Sequence, residues 1–299
     1  MKRVQWGKGV VFGLGLWLGA ISLGWAAPLQ VVATFSILAD LVQQVGGEEV
    51  RVTTLVKANG DVHLFEPSPE DLRNLQQASL VVGNGLHLEG WLEKLLRAAA
   101  FRGQSLVAST GVNVRYLEEG GQRVPDPHAW NSAANAMIYV RNIMQALQAN
   151  NPEQAAYYQS RGEKMLATLQ ELHEKSRQDI AAIPVEKRKI LTNHESLGYF
   201  ADAYGVRFLA PLGISSEAEA NAKGVAQLIR QIRQENIRLY FLENSGDKRL
   251  LTQIGKETGA KLGGILYVES LSAADGPATT YEKMFRHNVQ LMVAAMTQP

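Results

Sequence analysis

Short apolar runs alternate with amphipathic stretches along most of the chain. A strand is predicted from Leu29 by the apolar run LQVVATFS, and a helix follows in ILADLVQQVGG, ending at Gly46 and Gly47. Further strands are predicted by EEVRVTTLV and SLVVGNG, with a helix between them in SPEDLRNLQQA, where Ser68 suits the N-cap. This alternation favours parallel β–α units over a barrel or a sandwich.

The second half of the chain repeats the alternation. Strands are predicted by RKILTNH, VRFLAPLG, IRLYFLEN and KLGGILYVESL. Helices are predicted by ESLGYFADAYG, EAEANAKGVAQLIRQIRQEN, KRLLTQIGKETG and TYEKMFRHNVQLMVAAM. The two halves share this architecture but no strong sequence repeat.

A long polar stretch separates the halves. The segment 151–183 is predicted as one helix that Pro184 closes, and Asn151 and Pro152 suit its start. A helix of this length is unusual in a compact domain, and its apolar repeat covers too few heptads for a coiled coil. We therefore interpret it as a connecting helix that spans two lobes.

The sequence thus predicts an α/β protein with two lobes, each a mainly parallel β-sheet flanked by helices, joined by one long rigid helix. The N-terminal lobe is expected over residues 27–150, the connecting helix over 151–183 and the C-terminal lobe over 184–299. A rigid link between two lobes leaves a cleft, which is a common place for a small-ligand site.

Residues 1–26 have the pattern of a cleavable export signal. Lys2, Arg3 and Lys8 precede the uncharged apolar run VVFGLGLWLGAISLGW, and small residues follow it. The run is shorter than the roughly 20 residues of a spanning helix, which favours a signal peptide over a retained membrane anchor. We expect cleavage after Ala26, with Ala27 as the alternative.

The composition excludes several classes of site. The absence of cysteine excludes disulfides, thiolate catalysis, cysteine-type metal sites and lipid attachment at a lipoprotein cysteine. An exported protein without such a lipid needs an envelope to retain it, so we expect a periplasmic location, with secretion as the alternative. The 30 basic and 29 acidic residues leave no surplus charge for nucleic acid or an anionic membrane. We expect a monomer that binds no nucleic acid.

Four side chains share a context, three at predicted strand ends and one after a proline-rich loop before a helix. His63 comes after TLVKANGDV, His128 lies in VPDPHAWN, His194 ends KILTN and Glu269 ends GGILYV. Because ligands of open α/β sheets bind outside the carboxyl ends of the strands, these four residues are expected to converge on the cleft, two from each lobe. A single loop histidine is more often a surface or hydrogen-bonding residue, so the argument depends on the four together.

Three imidazoles and one carboxylate suit a divalent transition metal. Such a donor set fits zinc in tetrahedral or slightly expanded coordination, and it can also hold manganese or iron(II). A bidentate Glu269 would raise the coordination number and favour manganese.

Four segments carry a resemblance to a known family. GDVHLFEPSPEDL, DPHAW, TNHESLGYFADAYG and ATTYEKMFRHN together closely resemble the metal-binding proteins of zinc and manganese ABC importers, the cluster A-I (cluster 9) solute-binding proteins. The resemblance covers nearly the whole mature chain. It implies that His63, His128 and His194 bind metal, and that the partner is an inner-membrane ABC permease. Manganese members often have glutamate where this chain has His194, so the resemblance favours Zn2+ over Mn2+.

The fourth ligand departs from the pattern of the family. Related proteins commonly have an aspartate in a late loop, and the corresponding place here is Glu269. Asp275 is the rival, and the position of Glu269 at a strand end favours it. The zinc prediction is weakened because many zinc-specific relatives have a histidine-rich loop before the second motif, whereas RYLEEGGQRVPDPH has no histidine before His128.

The remaining candidates receive structural or supporting interpretations. His87 is expected to be structural near the cleft rim, His173 to be solvated on the connecting helix, and His287 to anchor the last helix. Glu66 and Glu195 are candidates to orient ligand imidazoles.

The sequence therefore predicts a protein that captures a divalent metal, zinc before manganese or iron, and delivers it to the permease. A zinc hydrolase is the alternative from another class. It would need an open coordination position and a base, and the chain has neither HExxH nor GxSxG, so we expect no enzyme. A surface adhesin, a third alternative, would need an anchor that the missing cysteine denies.

Overall fold

Two four-stranded parallel sheets, one in each half of the chain, form the framework of the protein. The computed structural model describes residues 1–2, 27–215 and 222–298. Except for its first two residues, the predicted signal peptide over 1–26 lies outside the described residues, and so does the predicted start of the helix in EAEANAKGVAQLIRQIRQEN.

The N-terminal sheet has the strand order β2-β1-β3-β4 with all neighbours parallel. Helices cover both faces of β1, so its side chains from Val31 to Phe35 are all buried, and its sequence is a continuous apolar run instead of an alternating one. The elements are β1 Leu29–Phe35, α1 Ser36–Gly46, β2 Val50–Val56, α2 Pro69–Gln77, β3 Leu80–Gly83, α3 Leu92–Ala98 and β4 Gln104–Val107.

An antiparallel hairpin that the sequence analysis did not predict follows the sheet. It consists of β5 (Tyr116–Glu119) and β6 (Gln122–Pro125). Gly120 and Gly121 have φ of 58° and 78°, the left-handed conformation that a two-residue hairpin turn requires at both positions. The hairpin leads directly into the DPHAW motif.

Two long helices follow: α4 (Ala133–Asn150) and α5 (Ala155–Ala181). The predicted helix over 151–183 starts later, because a separate 3-10 turn, Pro152–Gln154, comes between α4 and α5. Gly162 lies inside α5 without breaking it. A Cβ at this position would lie only 2.5 Å from the Met144 sulfur, so the glycine allows the two helices to pack closely.

The C-terminal sheet has the order β10-β9-β7-β8 and is also parallel. Its elements are β7 Lys189–Leu191, α6 Gly198–Tyr204, β8 Arg207–Leu209, α7 Ala222–Gln234, β9 Leu239–Glu243, α8 Arg249–Thr258, β10 Lys261–Leu266 and α9 Tyr281–Thr297. Within 27–215 and 222–298, none of the helices combines the length and apolar character that crossing a membrane demands. The predicted two-lobed α/β architecture is confirmed.

One hydrophobic core runs through both lobes. Buried side chains of β1, α1, α4, α5 and α9 belong to the same cluster as Phe241 and Leu266 of the C-terminal sheet. Each lobe also has one smaller hydrophobic cluster of its own. A wide separation of the lobes would expose part of the shared core, at about 25 cal/mol for each Å² of apolar surface.

We expect the radius of gyration to be nearly the same with and without bound metal, because the shared core restrains the lobes. Small-angle X-ray scattering of chelator-stripped and metal-loaded protein in matched buffers measures this. A clear expansion of the metal-free protein would contradict the expectation.

Candidate metal centre

Three histidines and one glutamate meet between the two sheets. One nitrogen or oxygen atom from each of His63, His128, His194 and Glu269 lies within 4.8 Å of the other three. The ring centroids of the histidines are 5.2 to 5.9 Å apart. The structure therefore brings together the four side chains that the sequence analysis grouped.

His63 lies in the loop between β2 and α2. Its backbone N–H donates to Asp61 Oδ1 at 2.9 Å, and the indole of Trp91 donates to the carbonyl of Val62. The loop ends at Ser68, which caps α2 in a reciprocal arrangement with Asp71. These contacts define both ends of the short segment that carries the imidazole.

His128 is oriented by a carboxylate two residues before it. Asp126 Oδ1 accepts from the backbone N–H of His128 at 3.0 Å and lies 2.9 Å from its Nδ1. Both side chains are completely buried. The Asp126 carboxylate therefore fixes both the backbone and the ring of His128.

His194 follows β7 and is oriented from the neighbouring strand. Glu243, the last residue of β9, places Oε2 at 2.6 Å from His194 Nδ1, and its Oε1 accepts from the backbone N–H of Asn193 and His194. The two carboxylates that orient imidazoles are thus Asp126 and Glu243. The predicted candidates, Glu66 and Glu195, have exposed side chains instead.

Glu269 follows β10 and is the carboxylate at the centre of the group. Its Oε1 lies 3.2 Å from Nε2 of both His128 and His194, and its Oε2 lies 3.8 Å from His63 Nε2. Its rival, Asp275, is on an exposed turn and does not join the group.

Three of the facing atoms have no hydrogen-bond partner. Because carboxylates contact Nδ1 of His128 and His194, those nitrogens carry the proton in the neutral rings, and each Nε2 presents a lone pair to Glu269. Nε2 of His63 and His128 and Oε2 of Glu269 are buried and have no hydrogen-bond partner. Such orphaned buried groups call for a cation between them.

Comparison with known proteins identifies the family of the chain. A family model described as "Zinc-uptake complex component A periplasmic" matches residues 31–295. The chain belongs to this family. It is a metal-binding substrate-binding protein of an ABC importer and not an enzyme.

Individual members of the zinc-uptake family differ in the metal named for them. The chain is 31% identical to the iron-binding protein YfeA of Yersinia pestis, over 91% of this chain and 88% of that protein. It is 30% identical to the manganese ABC transporter substrate-binding lipoprotein PsaA of Streptococcus pneumoniae, over 90% and 89%. The structure of the periplasmic zinc-binding protein TroA of Treponema pallidum superimposes with a TM-score of 0.85 at 26% identity, over 91% of this chain and 100% of that one.

In the present protein, a surface cavity of about 470 Å³ reaches the metal centre at His63. Its lining includes His63, Leu86, His87 and Trp91. The His63 side chain is 8% exposed, whereas those of His128 and Glu269 are fully buried, so His63 is on the solvent side of the group. Leu86 and His87 have φ of 54° and 65° in the cavity wall, a left-handed turn that is uncommon for these residues.

The segment around Glu269 is bound to the opposite lobe. The Trp130 indole donates to the carbonyl of Val268 at 2.7 Å, just before Glu269. Just after it, the N–H of Leu271 donates to Ser36 Oγ, and the carbonyl of Leu271 accepts from the N–H of Asn59. The sequence analysis counted two candidate ligands in each lobe. In the folded protein, the residues on both sides of Glu269 also contact the N-terminal lobe.

Two other histidines also have defined partners. His173 was predicted to be solvated, and this was wrong: it is half-buried, with Nδ1 3.1 Å from the Tyr204 hydroxyl. His287 Nε2 lies 3.1 Å from the carbonyl of Ile265, so it ties α9 to β10 as expected for an anchor.

The environment shifts the pKa values of the group in different directions. Burial disfavours the charged imidazole, and it lowers the pKa of His63. At His128 and His194 the neighbouring carboxylates outweigh burial, so the pKa of His128 is raised and that of His194 is raised well above its usual value. Burial alone would raise the pKa of Glu269, but the imidazoles hold it well below its usual range. Protons therefore compete with a metal ion mainly at His128 and His194.

We expect the metal-free protein to lose stability as the pH rises above about 6.5, the ordinary pKa of histidine. The raised pKa values of His128 and His194 stabilise the fold fully below their unfolded-state pKa, and this contribution disappears as the pH passes the folded-state values. His63 acts in the opposite direction, one residue against two. Thermal unfolding of chelator-stripped protein across this range measures the trend, and His194→Gln should reduce its slope. A melting temperature that rises with pH would contradict it.

Proposed function

We propose that the protein binds one divalent transition-metal ion through His63, His128, His194 and Glu269 and delivers it to an ABC permease in the inner membrane. The observation that carries this proposal is the meeting of four ligand-type side chains whose facing atoms lie within 4.8 Å of one another, three of these side chains having a buried nitrogen or oxygen without a hydrogen-bond partner. A cation is the partner that satisfies all of them at once.

Zinc is the metal that we propose first. Three imidazole nitrogens and one carboxylate form a donor set that zinc prefers, and zinc binds such sites more strongly than manganese at equal access. His194 supports this choice because a neutral imidazole stands where a further carboxylate would favour a harder ion. Manganese is the alternative, since both oxygens of Glu269 lie near histidine nitrogens and a bidentate carboxylate would raise the coordination number. Iron is the other alternative, as the name of one relative indicates.

We also propose that the protein works in the periplasm without a lipid anchor, as a monomer that binds no nucleic acid. PsaA of Streptococcus pneumoniae is named a lipoprotein, but the present sequence has no cysteine that could carry the lipid. Residues 1–26 would serve as the cleaved export signal. The mature chain would then comprise an N-terminal lobe over 27–150, a connecting segment over 151–183 and a C-terminal lobe over 184–299.

Titration of the metal-free protein with Zn²⁺ should give one ion per chain and a large rise in melting temperature, because a ligand that binds only the folded state stabilises it. His63→Ala and Glu269→Gln should remove most of this rise. Asp275→Asn is the matched control, since Asp275 is exposed and outside the group, and it should behave as the wild type. An unchanged rise in the first two variants, or its loss in the control, would refute the assignment of ligands.

Competition between Zn²⁺ and Mn²⁺ at constant pH should leave zinc in the site, because the donor set is rich in imidazole. Isothermal titration calorimetry of protein already loaded with manganese measures the displacement. Tighter binding of manganese than of zinc would replace zinc in the proposal and keep the site.

A further inference from the structure

Arg115 connects a ligand-orienting carboxylate to the other lobe. Its Nη1 donates to Asp126 Oδ2 at 3.3 Å, and its Nε donates to Asp202 Oδ2 at 3.0 Å. Asp126 is fully buried in the N-terminal lobe, whereas Asp202 lies on α6 of the C-terminal lobe with its side chain 65% exposed. One guanidinium is therefore shared between the carboxylate that orients His128 and a carboxylate of the opposite lobe.

The two carboxylate–imidazole pairs of the site differ because of this arginine. Asp126 contacts His128 through Oδ1 and a cation through Oδ2. Glu243 contacts His194 through Oε2, and its Oε1 accepts only from neutral backbone N–H groups. In the described part of the chain, the ion pair of Glu243 is with His194 alone. Asp126 is thus partly neutralised, and Glu243 is not.

We propose that Arg115 is a positioning residue that weakens His128 as a metal ligand and so keeps the bound ion releasable. This inference rests on the proposed function, in which His128 binds the metal. A carboxylate that accepts from the far nitrogen of a ligating imidazole increases the basicity of that ligand. The guanidinium reduces this effect by drawing on the charge of Asp126. Its own positive charge also repels a divalent ion.

Asp202 opposes this action from the C-terminal lobe. By binding Nε, it takes a share of the guanidinium charge that Asp126 would otherwise receive alone. A shift of α6 relative to the hairpin would therefore change how strongly His128 binds the metal, without moving His128 itself. α6 approaches closely enough because its first residue is Gly198, where a Cβ would collide with the Arg115 guanidinium and with Asp126.

The backbone around Asp126 is held by contacts that do not involve the guanidinium. The N–H of Asp126 donates to the carbonyl of Arg115 at 2.8 Å. The hydroxyl of Tyr199 donates to the carbonyl of Asp126 and accepts from the N–H of Arg115, both at 3.0 Å. These bonds survive replacement of the Arg115 side chain, so charge and position can be separated by experiment.

The test is a comparison of full-length Arg115→Gln, Arg115→Lys and Asp202→Asn, with Zn²⁺ affinity measured by competition with a chromogenic chelator. Arg115→Gln should bind zinc about ten-fold more tightly and release it more slowly, in line with the usual size of effects from residues behind metal ligands. Asp202→Asn should bind it more weakly, and Arg115→Lys should shift far less than Arg115→Gln. In the Arg115→Gln background, Asp202→Asn should change zinc affinity less than it does alone, because Arg115 and Asp202 no longer interact.

Arg177→Gln is the matched control for loss of one positive charge, since Arg177 lies on α5, 59% exposed and paired with Glu174. It should leave zinc affinity unchanged. The absorption spectrum of the Co²⁺-loaded protein should change in Arg115→Gln and not in Arg177→Gln, because only the former alters the donor strength of His128.

The sign of the change decides the outcome. Weaker zinc binding by Arg115→Gln would show that Arg115 only holds Asp126 in place, and unchanged binding would show that it has no influence; either result overturns the inference. If Arg115→Gln does not fold, Asp202→Asn still tests the inference, because Asp202 is exposed and its replacement should weaken zinc binding. Tighter or unchanged zinc binding by Asp202→Asn would overturn the inference. Failure of the wild type to bind any metal would instead refute the proposed function.

Discussion

The buried carboxylate of Glu269, facing three imidazoles, is the interaction on which the rest of the structure depends. With neutral imidazoles, Asp126, Glu243 and Glu269 contribute three negative charges to the interior, and Arg115, which is shared with Asp202, offsets part of one of them. A divalent cation would compensate most of the remaining negative charge. Without a metal, protons on His128 and His194 take over part of this role, which explains why their pKa values are raised although burial opposes their charging.

The packing of the lobes follows from the same demand. Ligand atoms that belong to different sheets must keep their separation within tenths of an ångström, and a continuous core supplies that rigidity. Helix α5 packs against α1 and α4 of the N-terminal lobe and against α6 and α9 of the C-terminal lobe, and Gly162 permits its close contact with α4. A metal-binding protein that must also release its ion cannot rely on tight coordination alone. It needs groups behind the ligands that limit how strongly they bind.

Much of the fold was predictable from the sequence. Buried parallel strands such as β1 appear as continuous apolar runs, and helices appear as apolar residues repeated every three or four positions. The grouping of His63, His194 and Glu269 was predictable for a related reason: each follows a strand of a parallel sheet, and such strands end on the same edge. His128 instead follows β6 of the antiparallel hairpin. The meeting of His63, His194 and Glu269 in the structure agrees with that reasoning.

What escaped prediction depends on partners that are distant in sequence. Glu243 orients His194 because β9 lies beside β7, and the strand order cannot be read from local patterns. Asp126 offered a signal in the sequence, because an aspartate two residues before a histidine can accept from its N–H. The polar sequence around His173 indicated a solvated side chain, and nothing local to it indicated the contact with Tyr204.

The attachment of Glu269 to the N-terminal lobe also determines when the site can exist in a growing chain. The segment that holds Glu269 leads into α9, whose first residue, Tyr281, donates its N–H to Asp40 and its hydroxyl to the carbonyl of Trp130. During synthesis, His63 is therefore made long before these contacts can form. A growing chain that lacks residues 269–281 has the three histidines but not the group of four side chains.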